Sequence, residues 1–117
     1  MEIQPGTGES VVSVSDENYS NFLIGKSVVT FGIASCQACN ELDPILEEAA
    51  GRFSGEVKFG KAKMHIPGAC REIKRRFDFE TFPTTHFYRN GELVHTLEGK
   101  VESEEFARLL LEHVLRK

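Results

Sequence analysis

The sequence predicts an α/β fold in which a mixed central β-sheet carries helices on both faces, in the order β-α-β-α-β-α-β-β-α. Two observations lead to this prediction. Strand-like apolar runs alternate with helical apolar stripes along most of the chain, which is typical of strands joined by helical crossovers. Near the end, two strand-like runs flank Asn90-Gly91, the preferred dipeptide of a two-residue hairpin. Crossovers make strands parallel and a hairpin makes them antiparallel, so we expect a mixed sheet.

The predicted strands differ in how they would be buried. The run from 28 to 34 is almost continuously apolar, which is typical of a strand buried on both faces of a sheet. The run from 57 to 64 alternates between apolar and polar residues, as a half-buried strand does. In chain order, the predicted strands cover residues 11–14, 28–34, 57–64, 84–89 and 92–97.

The helices are predicted from apolar stripes and from end signals. In chain order they cover residues 15–25, 36–53, 69–77 and 104–116. The second has the clearest stripe, because its apolar residues recur at helical spacing. Those residues are Leu42, Ile45, Leu46, Ala49, Ala50 and Phe53. Pro44 lies inside this helix and removes one ladder hydrogen bond, so we expect a kink there. The stripe of the last helix is Phe106, Leu109, Leu110 and Val114.

Length and composition indicate one globular domain. The chain has 117 residues, of which 40% are hydrophobic and 27% charged, and this is enough for a single core. We expect the domain over residues 11–117, after a loose polar tail at residues 1–10. The formal net charge of −4 argues against general affinity for nucleic acids. No apolar run is long enough for a bilayer span, and we expect neither membrane association nor a secretory signal.

The four residues Cys36-Gln37-Ala38-Cys39 indicate thiol–disulfide chemistry. They follow an apolar strand and open a helix, so the first cysteine falls where free backbone N–H groups and the helix dipole favour a thiolate. The second lies on nearly the same helix face, where its sulfur can reach the first. We therefore expect Cys36 to attack a substrate disulfide and Cys39 to resolve the mixed disulfide. One such pair plus a spare cysteine suits a reducing compartment, and we expect the cytoplasm.

From about Val11 to its C-terminus the chain resembles a thioredoxin. The landmarks are the C-x-x-C motif after the central strand, Pro44 soon after it, Phe82-Pro83-Thr84 before the hairpin, and Gly99 before the last helix. The resemblance implies the thioredoxin fold and a protein-disulfide reductase that needs no bound cofactor. Its implied partners are protein disulfide substrates and a separate reductase or glutathione. We expect the chain to be a monomer. The resemblance also implies that Pro83 is a cis-proline and that Phe82, Pro83 and Thr84 bind substrate.

Some positions depart from the common pattern of that family. Ser35 stands where a Trp is usual, the C-x-x-C motif encloses Gln-Ala rather than Gly-Pro, and the chain has no Trp. Thr30 occupies the strand position of a buried Asp that handles the proton of the second cysteine. Lys61 matches the Lys that usually pairs with that Asp, so we expect it to lack its partner. Glu41 and Glu80 are candidate substitute proton acceptors, although both read more simply as solvated surface acids.

Cys70 and the histidines allow further interpretations. Cys70 is either a small buried apolar residue or a candidate regulatory thiol beside the basic helix. Cys36, Cys39, His65 and Cys70 offer the ligand types of a Cys₃His zinc site, but their spacing fits no common zinc motif, so we assign no metal. We expect His86, His95 and His113 to be isolated, with the first two on the surface of the sheet.

A redox-inactive binding module is the alternative to an enzyme, since one fold can serve unrelated functions. The absent Trp, Thr30 and the basic segment 71–76 favour it mildly. Both cysteines of the C-x-x-C motif argue against it, because a module without turnover needs neither. The basic segment itself is expected to be a solvated helix face.

Overall fold

The computed structural model describes residues 11–53 and 55–115, in which five strands form one sheet in the order β1-β3-β2-β4-β5. β1 and β2 both lie parallel to β3, whereas β4 is antiparallel to β2 and β5. The strands are β1 Val11–Val14, β2 Lys26–Gly32, β3 Lys58–Lys63, β4 Thr84–Arg89 and β5 Glu92–Glu98. The mixed sheet and the predicted order of elements are therefore confirmed.

The helices are α1 Tyr19–Phe22, α2 Gln37–Arg52, α3 Arg71–Arg76 and α4 Ser103–Leu109. α4 continues as a π-helical turn over Leu110–Val114, which the sequence did not predict. The Leu115 N–H donates to the Leu110 carbonyl at 2.9 Å and closes the wider turn. The stripe of the last helix is nevertheless buried as predicted. Among the described residues, no helix is long and apolar enough to cross a bilayer.

Two apolar layers hold the helices against the sheet. One layer packs α2 and α4 against residues such as Val28, Phe59 and Phe87 of the sheet. The other packs α1 and α3 against Val29 and Phe31. β2 contributes to both layers and is almost wholly buried, as its apolar run predicted. The predicted tail at residues 1–10 lies outside the described residues, while the single domain over residues 11–117 and the kink at Pro44 stay predictions.

A side chain from the segment between β1 and α1 holds the beginning of α3. The carboxylate of Asp16 accepts the backbone N–H groups of Glu72 at 2.8 Å and Ile73 at 3.0 Å. The Asp16 N–H in turn donates to the Ala69 carbonyl at 2.8 Å. Free N–H groups in the first turn of a helix need such acceptors. α3 therefore depends on a residue far from it in the sequence.

The hairpin has the predicted turn. Asn90 and Gly91 have φ angles of 53° and 83°, and a type I′ turn requires positive φ at both central residues. A register shift between Phe87 and Tyr88 interrupts the ladder of β4 and β5. The hairpin places β5 at one edge of the sheet, while β2, which leads into the cysteine motif, lies in its middle.

Candidate active site

The two motif cysteines meet at the N-terminus of α2. Cys36 is the N-cap residue of this helix, and a disulfide joins it to Cys39 with 5.2 Å between their Cα atoms. The Cys39 N–H donates to the Cys36 Sγ at 3.1 Å. Cys36 is half-buried, whereas Cys39 is only 4% exposed. The sulfur that can meet another molecule is thus the one that receives a backbone hydrogen bond.

A tight turn between β2 and α2 presents Cys36. Ser35 has a φ of 59°, in the left-handed region that residues other than glycine seldom adopt. The preceding Ala34 N–H donates to the Nδ1 of His65 at 3.1 Å. His65 follows β3, so a side chain from the neighbouring strand connection supports the turn. This contact was not expected from the sequence.

The segment before β4 lies beside Cys36. The Phe82–Pro83 peptide bond is cis, as the resemblance implied. The Phe82 carbonyl oxygen lies 3.8 Å from the Cys36 Sγ. Thr84 is buried, and its hydroxyl donates to the Thr81 carbonyl at 2.7 Å. Within the predicted substrate-binding segment, the Phe82 carbonyl thus lies beside the Cys36 sulfur, while the Thr84 side chain holds the turn.

The β2 residues on the sheet side of Cys39 carry no charge. A Cβ atom placed on Gly32 would lie 3.2 Å from the Cys39 Sγ, so the second cysteine packs directly against the β2 backbone. Two residues earlier on this strand, the hydroxyl of Thr30 lies 2.9 Å from that of Thr85 on β4. Both threonines are buried and satisfy each other. Hydroxyl groups thus occupy the strand position at which the resemblance would place a carboxylate.

The expectation that Lys61 lacks a partner is wrong. Its Nζ lies 2.7 Å from both carboxylate oxygens of Asp43 on α2. The two side chains are 26% and 33% exposed. Asp43 was not expected as the partner from the sequence because the contact joins a helix to a strand. Its position one turn after Cys39 was the available signal.

The two candidate substitute proton acceptors, Glu41 and Glu80, are surface residues. Glu41 is exposed, and its carboxylate accepts a hydrogen bond from Gln37 at 2.9 Å. Glu80 is exposed in the segment before the cis-proline. Among the described residues, neither carboxylate forms a hydrogen bond with Cys36 or Cys39. Both therefore fit the simpler interpretation of solvated acids.

Cys70 lies in the apolar layer formed by α1 and α3 and is 2% exposed. Burial raises the pKa of its thiol, and the nearby Asp16 carboxylate raises it further. These surroundings suit a small buried apolar residue, while the regulatory role stays a prediction. Within residues 11–53 and 55–115, no group of three or more His, Cys, Asp or Glu side chains could hold a metal ion. The zinc-site hypothesis thus finds no support there.

The expectation for the histidines is wrong in two respects. His86 is 4% exposed rather than on the sheet surface, because aromatic residues of the segment before β4 cover it. This burial lowers its pKa from 6.5 to about 4. His95 and His113 are not isolated, since the last helical turn packs on β5 and stacks their rings with centroids 4.0 Å apart.

Comparison with known proteins agrees with this geometry. A family model described as thioredoxin matches residues 10–112. This chain belongs to the thioredoxin family. The thioredoxin of Staphylococcus saprophyticus is 26% identical over 106 residues, which cover 90% of this chain and 99% of that protein. The thioredoxin of Haemophilus influenzae is 23% identical over 107 residues, covering 89% and 97%.

A solved structure supports the fold independently. The thioredoxin Mala s 13 of Malassezia sympodialis superimposes with a TM-score of 0.77 at 19% identity, over 97% of this chain and 96% of its own. The family match and the paired sulfurs together make this thioredoxin-family chain a thiol–disulfide oxidoreductase. These findings give no support to the alternative of a redox-inactive binding module.

Proposed function

We propose that this thioredoxin-family protein reduces disulfides in protein substrates, with Cys36 as the nucleophile and Cys39 as the resolving thiol. The observation that carries the proposal is the difference between the two sulfurs. Cys36 is the half-buried one, lies at the helix N-terminus and accepts the Cys39 N–H at 3.1 Å. A backbone donor and the helix dipole both favour a thiolate at that position.

The reaction is a pair of thiol–disulfide exchanges. The Cys36 thiolate attacks one sulfur of the substrate disulfide, and the other substrate sulfur leaves as a thiolate that takes up a proton. The Cys39 thiolate then attacks the Cys36 Sγ, and the second substrate sulfur leaves in the same way. Two electrons have passed to the substrate, and the protein is left with the Cys36–Cys39 disulfide of this structure.

Substrate is proposed to lie along Phe82, Pro83 and Thr84. The Phe82 carbonyl is 3.8 Å from the Cys36 Sγ, so an extended segment that pairs with this backbone would have its sulfur beside the nucleophile. Backbone pairing makes few demands on side chains. It therefore suits an enzyme that acts on many proteins.

The remaining parts of the cycle follow from the chemistry. The proposed electron source is a separate reductase or glutathione, because two cysteines can hold the electrons for only one turnover. We place the protein in the cytoplasm, since its third cysteine is a free buried thiol and structural disulfides are rare in that compartment. We also propose that it acts as a monomer. Cys70 takes no part in the proposed cycle.

The test is the reduction of insulin disulfides by dithiothreitol, with and without the protein. We expect Cys36→Ser to abolish the acceleration, and Cys39→Ser to accumulate a mixed disulfide that mass spectrometry detects. Cys70→Ala is the matched control and should retain activity. Wild-type rates from the Cys36→Ser protein would refute the assignment. In thiol buffers we expect one two-electron transition with a midpoint of roughly −270 to −200 mV, the range from thioredoxins to glutaredoxins.

A further inference from the structure

The proposed resolving thiol has to lose a proton in a nearly closed environment. Cys39 is 4% exposed, and its sulfur packs on the backbone of Gly32. The thiolate, and not the thiol, is the nucleophile in disulfide exchange. The S–H proton of Cys39 therefore has to pass to a nearby base before its sulfur can attack. The second exchange step therefore needs a base that the first does not.

The sheet register places Lys61 on the sheet face against which Cys39 packs. Gly32 faces α2, and so does Thr30, which precedes it by two residues on the same strand. Thr30 is paired with Lys61 on the neighbouring strand. Two residues of strand span about 7 Å. The Lys61 side chain, whose ammonium group holds Asp43, thus leaves the same sheet face about 7 Å along the strand direction from the level of Gly32.

Asp43 approaches from the helix side. It follows Cys39 by one turn of α2, and side chains so spaced have Cβ atoms about 5–6 Å apart. Helical side chains also lean toward the N-terminus, so Asp43 leans toward the turn of Cys39. Lys61 fixes the carboxylate with Nζ–O distances of 2.7 Å to both oxygens. Both side chains are partly exposed, by 26% and 33%, so water can reach the pair.

The other described groups near the dithiol are poorer bases. The hydroxyls of Thr30 and Thr85 are satisfied by each other at 2.9 Å and are too weakly basic to hold a proton. The Nδ1 of His65 already accepts the Ala34 N–H at 3.1 Å. The carboxylate of Glu41 is exposed and accepts a hydrogen bond from Gln37. Asp43 is the remaining carboxylate on the side of α2 that meets the sheet.

We infer that Asp43 accepts the proton of Cys39 through one intervening water, and that Lys61 is a positioning residue for its carboxylate. The inference rests on the roles proposed above for Cys36 and Cys39. In the step, the Cys39 S–H bond breaks and its proton passes through the water to Asp43. The sulfur bonds to the Cys36 Sγ, the bond from Cys36 to the substrate sulfur breaks, and that sulfur leaves with the electron pair. Asp43 then returns its proton to the solvent, so no further reactant is consumed.

The test separates the two exchange steps in a single turnover. The reduced protein is mixed with 5,5′-dithiobis(2-nitrobenzoate), which releases one coloured thiolate when Cys36 attacks and a second when Cys39 resolves the adduct. We expect Asp43→Asn to slow the second release at least about tenfold at pH 7, since a positioned base typically contributes 10²–10⁴-fold. The first release should keep its rate. Asp43→Glu, which retains a carboxylate, should recover most of the loss.

The pH profile distinguishes a base from a structural residue. As the pH rises through the range in which thiols ionise unaided, the second release of Asp43→Asn should approach the wild-type rate. Glu47→Gln removes an exposed charge from the same helix and should behave as wild type throughout. Equal second-release rates at pH 7, or a deficit of constant size at every pH, would overturn the inference. Loss of both releases in the wild-type protein would instead overturn the proposed function.

Discussion

Acidification should destabilise this protein through His86. The side chain is 4% exposed and packs among aromatic rings, with centroid distances of 4.8 Å to Phe31 and Phe77 and 5.7 Å to Phe79. Its Nδ1 lies 2.9 Å from the Tyr88 hydroxyl. Burial disfavours the charged imidazolium and lowers the pKa of His86 to about 4. A change of pH should reveal this effect.

The sign and size follow from proton linkage. Between the unfolded pKa of 6.5 and the folded value of about 4, the unfolded chain binds more protons than the folded one, so stability rises with pH. The contribution is therefore present above pH 6.5, is lost as the pH falls below it, and levels off near pH 4. At 1.36 kcal/mol per pKa unit, lowering the pH from 7 to 5 should remove about 2 kcal/mol of unfolding free energy.

The assay is urea unfolding of the oxidised protein at pH 7, 6 and 5. His86→Phe and His86→Asn are compared with wild type, because neither replacement titrates but only Asn can hydrogen-bond to Tyr88. Their absolute stabilities will differ. In both variants, the decrease in unfolding free energy from pH 7 to pH 5 should be smaller than in wild type by the same amount, about 2 kcal/mol. If both variants kept the wild-type slope between pH 7 and pH 5, burial of His86 would not be the source of the pH dependence.

Three further substitutions test the packing. Gly60→Ala places a Cβ 2.5 Å from the Val14 side chain and should lower the unfolding free energy by about 1–3 kcal/mol. An unchanged urea midpoint would contradict that contact. Thr30→Val leaves the hydroxyl of Thr85 unpaired and should cost about 1–3 kcal/mol, whereas the double valine variant should recover part of it. A double variant less stable than Thr30→Val would argue against the pairing. Gly32→Ala crowds the Cys39 sulfur of the disulfide and should make the redox midpoint less negative, and a titration that matched wild type would contradict this.

Periodic patterns predicted the fold because they record burial. The apolar run of β2 and the stripe of α2 each report one element facing its neighbours, and the Asn90-Gly91 turn depends on local backbone chemistry alone. The motif predicted the paired sulfurs because its two cysteines lie at one helix end, so their pairing also depends on local geometry.

What the sequence left out depends on contacts between distant elements. The pairing of Lys61 with Asp43 requires α2 to cross β3 at one height, which no local pattern reports. The burial of His86 comes from the irregular segment before the cis-proline, which has aromatic residues but no helical or strand period. The stacking of His113, in the π-helical turn, on His95 of β5 likewise joins elements that are distant in the sequence.

The attachment of α3 to Asp16 has a consequence for local opening of the fold. A helix of six residues is too short to persist in water by itself, and side-chain acceptors from a distant segment hold its first turn. The amides of Glu72 and Ile73 should therefore exchange with deuterium at the rate at which the segment between β1 and α1 detaches. The two segments then open as one cooperative unit, although more than fifty residues of sequence separate the hydrogen-bonded groups.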